Sequence, residues 1–273
     1  MVRSTLKSAF ATMLISVFMG SALPVLAGNN GEVGTAIGQT APNFQVYNMD
    51  GKQVTLADYK GQRLFVNFWS WWCPPCIKEA ELLMNLSNKY EGKITFLFIG
   101  INRIYSDQKP LDPEEIEEGY IAGLTTFKTQ MKRAKLDGSY ALRRLETAED
   151  DATKAVARGR YETHLKNQGM LDDLKNKKVL EYYLTSPHSL FDFRGYWERQ
   201  FRAKTNERYG IPVTYLIDGE GKIALDVNPN DQHWDKNDDI LEDFIAGKDL
   251  SSYVARFPIP EKHQRKPEDS TKK

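Results

Sequence analysis

Cysteine is almost missing from this chain: of 273 residues only Cys73 and Cys76 carry a thiol, and histidine occurs four times. A zinc site built on two cysteines needs two more ligands. These would have to come from His164, His188, His233, His263 or carboxylates, none of which shows ligand spacing, so no metal is expected. A purely structural bridge is disfavoured too, because closing so short a loop removes little entropy from the unfolded chain. Excess charge is also missing: 37 basic residues balance 37 acidic ones. No net field exists to draw the chain to nucleic acid or to an anionic membrane. What remains is a lone C-x-x-C pair in a chain long enough to bury one full core and an elaboration.

The pair lies in Phe65 to Glu79, Phe-Val-Asn-Phe-Trp-Ser-Trp-Trp-Cys-Pro-Pro-Cys-Ile-Lys-Glu. Pro74 and Pro75 have no N–H and cannot extend a strand, yet they suit a first helical turn. Upstream, Leu64, Phe65, Val66, Phe68 and Trp69 form the short apolar run of a strand buried on both faces. Downstream, Ile77, Ala80, Leu83, Leu86 and Tyr90 recur at helical spacing until Gly92. The order is strand, tight turn with two thiols, helix. A helix N-terminus stabilises an anion and lowers a cysteine pKa from about 8.5 to roughly 3.5–7.5. Cys73 is then the attacking thiolate and Cys76 the resolving thiol of a redox-active disulfide.

Trp72-Cys73-Pro74-Pro75-Cys76 is preceded by Ala41-Pro42-Asn43-Phe44 and Asp50-Gly51, and followed far downstream by Tyr209-Gly210-Ile211-Pro212-Val213-Thr214-Tyr215-Leu216-Ile217-Asp218. This combination resembles the TlpA-like thiol:disulfide oxidoreductases of the thioredoxin superfamily, over about Thr40 to Ile101 and Phe191 to Ala246. The resemblance implies a thioredoxin-like α/β fold and exchange with cysteines of exported proteins. It also implies a cis Pro212 beside the disulfide, with the backbone at Ile211 free to pair with an extended substrate. Trp72 and Pro74 would flank the contact, and no organic cofactor is implied. Reduction is the direction the resemblance favours, with apocytochromes c as one substrate class and a membrane thiol transporter or another redox protein as electron partner.

From the N-terminus, Arg3 and Lys7 precede an uncharged stretch, Ser8 to Ala27, with Val25 and Ala27 where a signal peptidase reads. Residues 1–27 are thus a secretory signal, and the chain is expected in the periplasm or another extracytoplasmic compartment. A retained membrane anchor is the competing reading, weakened by Gly20 and Pro24. No cysteine follows, which excludes a lipoprotein site. Residues 28–39 form a linker, and a hairpin around Asp50-Gly51 leads into the redox strand. Lys93 to Ile101 is a central parallel strand. The domain runs from 40 to 257, and the charged, aperiodic tail 258–273 is disordered.

Between Ile101 and Pro212 the chain spends over a hundred residues where a relative needs one helix and one short strand. This long, mainly helical insertion occupies about 104–188. Asp112-Pro113-Glu114-Glu115 caps a helix carrying Ile116, Tyr120, Leu124, Phe127 and Met131, despite Gly119 and Gly123. A second helix is expected from Tyr140 to about Arg160, with a stripe of Ala141, Leu145, Ala148, Ala152 and Ala155, and the two could pair as a hairpin. His164 to Lys178 is polar, and Val179 to Leu184 fits strand or helix end. The insertion is either a solvated decoration stiffening one edge or a cap that chooses partners. Beyond it, Phe191-Asp192 ends a strand, and Tyr196 to Tyr209 forms a helix whose Arg199, Arg202, Lys204 and Arg208 are solvated. Val213 to Asp218 and Lys222 to Val227 make a hairpin. A final helix begins at Asp235, and His233-Trp234 precedes it.

Two carboxylates of the family pattern are missing. Asn67 stands where many thioredoxins bury an aspartate, and Pro74 where some TlpA-like reductases have glutamate. Proton transfer from Cys76 then falls to water or to Glu79, which could equally cap the helix or face solvent. Trp71 and Trp72 read as walls around the disulfide, though Trp71 could be core. Two other classes compete. Ser70-Trp71-Trp72-Cys73 echoes the S/T-x-x-C of thiol peroxidases of the peroxiredoxin type, but Val66 replaces their upstream proline. A non-enzymatic copper carrier or binding scaffold would keep the fold without turnover.

Overall fold

Apart from Asn67, the run Leu64–Trp69 is apolar, and every residue of it is buried in strand β3 (Leu64–Trp69). The computed structural model describes residues 32–102, 113–203, 210–227 and 234–257. Around β3 lie β1 (Gln45–Asn48), β2 (Gln53–Thr55), β4 (Thr95–Ile101), β5 (Ser189–Asp192), β6 (Val213–Ile217) and β7 (Ile223–Val227). They form one sheet in the order β2-β1-β5-β4-β3-β6-β7. β3, β4 and β5 run parallel; β1 and β6 run antiparallel to their neighbours. This is a thioredoxin-like α/β arrangement with an N-terminal hairpin. In that hairpin, Asn48 Oδ1 accepts the backbone N–H groups of Asp50 and Lys52 at 3.0 and 2.8 Å, while Gly51 turns at φ 83°.

The helices are α1 (Pro74–Lys89), α2 (Pro113–Arg133), α3 (Ser139–Glu146), α4 (Asp151–Asn176), α5 (Val179–Thr185), α6 (Tyr196–Ala203) and α7 (Asp238–Ile245). Residues 65, 67 and 69 of β3 point to the α1 face by strand alternation. On that face Trp69 packs edge-on against Tyr183 of α5 and Phe127 of α2. On the other, Phe68 meets Phe201 of α6, which also touches Phe44 and Tyr215. Trp234 is fully buried against Phe65, so it packs the core.

The glycines that interrupt the α2 pattern have a packing reason. A Cβ on Gly119 or Gly123 would come within about 2.6 Å of the Phe193 ring, and one on Gly100 of β4 within 2.5 Å of Phe127. Only glycine allows these rings so close to backbone.

The structure departs from sequence expectation in several places. The helix expected over Tyr140 to Arg160 is two, because Asp150 starts α4 by accepting the Thr153 N–H at 2.8 Å. The helical pair is α3 with α4, and the polar stretch from His164 continues α4 to Asn176. Ala152 and Ala155 are exposed; α4 buries Ala157, Leu171 and Leu174. Val179–Thr185 is the helix α5. The expected final helix starts at Asp238 after Asn237, preceded by a 3-10 turn over Trp234–Lys236. Glu32 to Gln39, within the expected linker, is tied to the sheet: Gly38 N–H reaches the Ile223 carbonyl at 2.8 Å, and the adjoining Thr40 bridges Lys222. Arg199 is half-buried and donates to the Arg194 carbonyl at 2.8 Å, so it is not part of a free basic face.

The signal segment 1–27, the tail 258–273, His233, His263, Lys204, Arg208 and the Asp112 cap lie outside the described residues, as do the side chains of Arg202 and Asp235. Among the described residues no helix is long and apolar enough to cross a membrane.

Candidate functional site

β3 delivers the chain at the C-terminal edge of the parallel strands, where Ser70 Oγ donates to the Ile101 carbonyl at 2.8 Å and Cys73 N–H to the Ser70 carbonyl at 3.2 Å. This double tie fixes the tight turn. Cys73 is the N-cap of α1, with extended backbone at φ −91°, and Pro74 and Pro75 follow as the first helical residues. Cys73 and Cys76 form a disulfide with their Cα atoms 5.3 Å apart. Because two prolines occupy the first turn, Cys76 carries the first N–H of the helix.

Both cysteines are nearly closed off, Cys73 at 4 % exposure and Cys76 at 1 %. Ile211–Pro212 is cis, and the Ile211 carbonyl oxygen lies 3.3 Å from Cys73 Sγ. The sheet explains the meeting, because β6 pairs with β3 from Val213↔Phe68 onward. Trp72 is half-buried and donates its indole N–H to the Asn102 carbonyl at 3.2 Å. Pro74 is also partly exposed beside it, whereas Trp71 is buried in the core cluster.

The largest correction concerns Glu79. It neither caps the helix nor faces solvent: it is 7 % exposed, three residues after Cys76 on the inner side of α1. Asn67 of β3 donates its amide to Glu79 Oε1 at 3.2 Å and to Thr214 Oγ1 of β6 at 3.0 Å. Burial pushes the Glu79 carboxyl up to about 8, partly opposed by the Asn67 hydrogen bond. A buried acid on the helix thus stands beside the strand, with Asn67 as its anchor. The signal for it was present in the spacing, since Glu79 sits in the stripe Cys76, Ala80, Leu83.

A second buried acid, Asp192, ends β5 at the same edge of the sheet. It accepts the N–H groups of Trp197 and Glu198 at 3.1 and 2.8 Å and starts α6. Burial raises it to about 7, against the pull of those two donors. Sequence reasoning missed both this burial and Asn102, whose side chain accepts the Arg194 N–H at 2.9 Å while its carbonyl holds Trp72.

The AhpC/TSA family model matches residues 37–118, from the hairpin to the start of α2. The thiol-disulfide oxidoreductase ResA of Bacillus thuringiensis is 47 % identical over 57 residues, which is 21 % of this chain and 33 % of that protein. The thioredoxin-like protein YneN of Bacillus subtilis is 32 % identical over 78 residues, 29 % of this chain and 46 % of that one. The chain therefore spans about a third to a half of the length of these relatives. Among solved structures, a putative thiol:disulfide interchange protein DsbE from Chlorobium tepidum is 17 % identical with a TM-score of 0.37, over 76 % of this chain and 94 % of that one. The sheet order, the cysteine pair heading α1 and the cis Ile211–Pro212 bond facing it give the chain a thioredoxin-like arrangement, and over residues 37–118 it is similar to the AhpC/TSA family and to thiol-disulfide oxidoreductases.

Proposed function

We propose that the chain is a thiol:disulfide oxidoreductase that exchanges the Cys73–Cys76 disulfide with cysteines of exported proteins, outside the cytoplasm and chiefly as a reductant. The observation that carries this reading is the placement of Cys73 Sγ at a helix N-terminus, 3.3 Å from the Ile211 carbonyl that precedes cis Pro212. In the reduced chain the Cys73 thiolate attacks a partner disulfide, and one partner sulfur leaves and takes a proton. The Cys76 thiol then gives its proton to the Glu79 carboxylate and attacks Cys73, so the second partner sulfur leaves and this chain is oxidised. Two electrons pass to the partner in total, and its two sulfurs take up one proton from solvent and the one that Cys76 released through Glu79. An extended partner segment would pair along the backbone at Ile211, against Trp72 and Pro74.

The direction is supported by the two prolines. Most helix starts offer several N–H groups to a thiolate, whereas here the first two are absent. A less stabilised reduced form means a lower potential. Maturation of c-type cytochromes is the finer reading that the resemblance favours, with electrons from a membrane thiol transporter. The apolar stretch before Ala27 supports export, because such disulfide traffic persists outside the cytosol.

The test is the reduction potential of the pair, from equilibration with defined thiol/disulfide buffers and alkylation of free thiols. A value near or below about −270 mV is expected. One near about −120 mV would make the chain a disulfide donor. A rapid, saturable reaction of Cys73 with peroxide, with no exchange on protein disulfides, would favour a peroxidase instead.

A further inference from the structure

The insertion reaches the proton chemistry of the site through one residue. Tyr183 of α5 is 1 % exposed, and its hydroxyl donates to the Ala80 carbonyl of α1 at 3.1 Å. Its ring stands edge-on to Trp69 at 4.3 Å and tilted on Phe98 at 4.6 Å. Ala80 is the residue after Glu79, and the Glu79 carboxyl, second to burial itself, helps to raise the Tyr183 hydroxyl well above its ordinary range. The surroundings of Glu79 are thus Asn67 from β3, Thr214 by way of Asn67 from β6, Tyr183 from α5 bonded to the carbonyl of the next residue, and Cys76 one turn earlier on its own helix; Tyr182 flanks Tyr183.

We propose that Tyr183 is a positioning residue by which the insertion closes the flank of α1 beside Glu79, excludes water from that carboxyl and so tunes proton transfer to and from Cys76. The role in proton transfer rests on the exchange mechanism proposed above; the sealing does not. Several contacts press α5 into this place. Val179 and Leu180 are buried with Tyr183, Tyr182 Oη lies 2.6 Å from Ser87 Oγ of α1, and Lys177 pairs with Glu81 at 2.8 Å. An aromatic plug beside a carboxyl withdraws it from water, and desolvation favours its neutral form. The insertion then acts on the site without touching the partner.

The experiment follows the infrared carbonyl band of the protonated Glu79 carboxyl against pH in the oxidised full-length chain, with the band assigned by its loss in Glu79→Gln. The wild-type midpoint is expected at about 8. Tyr183→Ser should lower it by about one pH unit or more, because the space left by the ring admits water. Tyr183→Leu, a milder change should the serine variant not fold, should give a smaller fall. Tyr183→Phe keeps the ring and should leave the midpoint in place. A midpoint unmoved by Ser or Leu, or an equal fall in Phe, overturns the proposal. Exchange rates that ignore Glu79→Gln while the midpoint still falls with Tyr183→Ser would remove the proton relay and leave the seal standing.

Discussion

The unit from β3 through α1 to β4 and the helices α2 to α5 share one face of one sheet, yet they hold their places by different means. In the first, burial is continuous: all of β3 and six of the seven residues of β4 are closed off, and buried polar side chains are held by hydrogen bonds, as Asn67 to Glu79 and Ser70 to the Ile101 carbonyl. In the second, burial fades with distance from α1. α5 buries Val179, Leu180 and Tyr183, α4, which also packs on α1, buries Leu171 and Leu174 near its C-terminal end, and α2 contributes Leu124, Phe127 and Met131, whereas α3 buries nothing. The insertion is therefore core where it touches the redox helix and solvated decoration at its far end. A catalytic unit needs fixed geometry, and α2, α5 and the C-terminal part of α4 supply its wall; α3 and the start of α4 are under no such demand.

The contrast is broken most severely at Cys73. Cys73→Ser should abolish exchange with a protein disulfide while leaving the chain folded, measured as loss of turnover with an unchanged circular dichroism spectrum. Residual turnover above a few per cent would mean that Cys76 or another group attacks. No substitution in α3 should come near this effect.

Next comes the pH dependence of stability, which belongs to the redox unit. The folded Glu79 pKa, about 8, lies above its ordinary value of 4.5, so between these limits the native state holds a proton the unfolded chain releases. Its contribution is fully present below about 4.5 and is lost as pH rises through about 8. Asp192, raised to about 7, acts in the same sense. Urea midpoints should fall from pH 5 to pH 9, and Glu79→Gln should flatten that slope. A flat profile over this range, unchanged in Glu79→Gln, would show that both acids are ionised in the folded chain.

A smaller effect sharpens the claim that part of the insertion is core. Phe127 of α2 is fully buried between Trp69, Phe191 and the bare backbone of Gly100. Phe127→Ala should cost about 3–5 kcal/mol, read by chemical denaturation. A loss under about 1 kcal/mol would place α2 with the decoration.

Much of this was legible because local chemistry and tertiary demand agree. Asp50-Gly51, the apolar run before Trp69, the prolines after Cys73 and the context of Ile211-Pro212 each point to the element that forms. Glu79 was misjudged because a charged residue on a helix defaults to solvent, and only its Asn67 partner, twelve residues earlier, makes burial tolerable. The break between α3 and α4 was hidden by alanines that continue the helical stripe past Asp150, although Ala152 and Ala155 end up exposed. Val179–Thr185 is too short for periodicity to tell helix from strand, and its packing on α1 decides. Gly119 and Gly123 looked like weaknesses, and Phe193, some seventy residues on, gives them their purpose.

The smallest effect is expected where the two regions meet at the surface. Lys177 lies 2.8 Å from Glu81 of α1 and 2.9 Å from Asp173 of α4, so on paper it clamps the insertion to the redox helix. All three side chains are at least 40 % exposed. Water and salt screen such pairs, and ordering three long side chains costs entropy that offsets the attraction. Lys177→Met should therefore leave the melting midpoint and the exchange rate nearly unchanged, with any difference vanishing at high salt. A loss of several degrees that persists in salt would mean that charge, rather than the buried contacts of Tyr183, Val179 and Leu180, holds α5 against α1, and the division between a packed near side and a solvated far side would have to be redrawn.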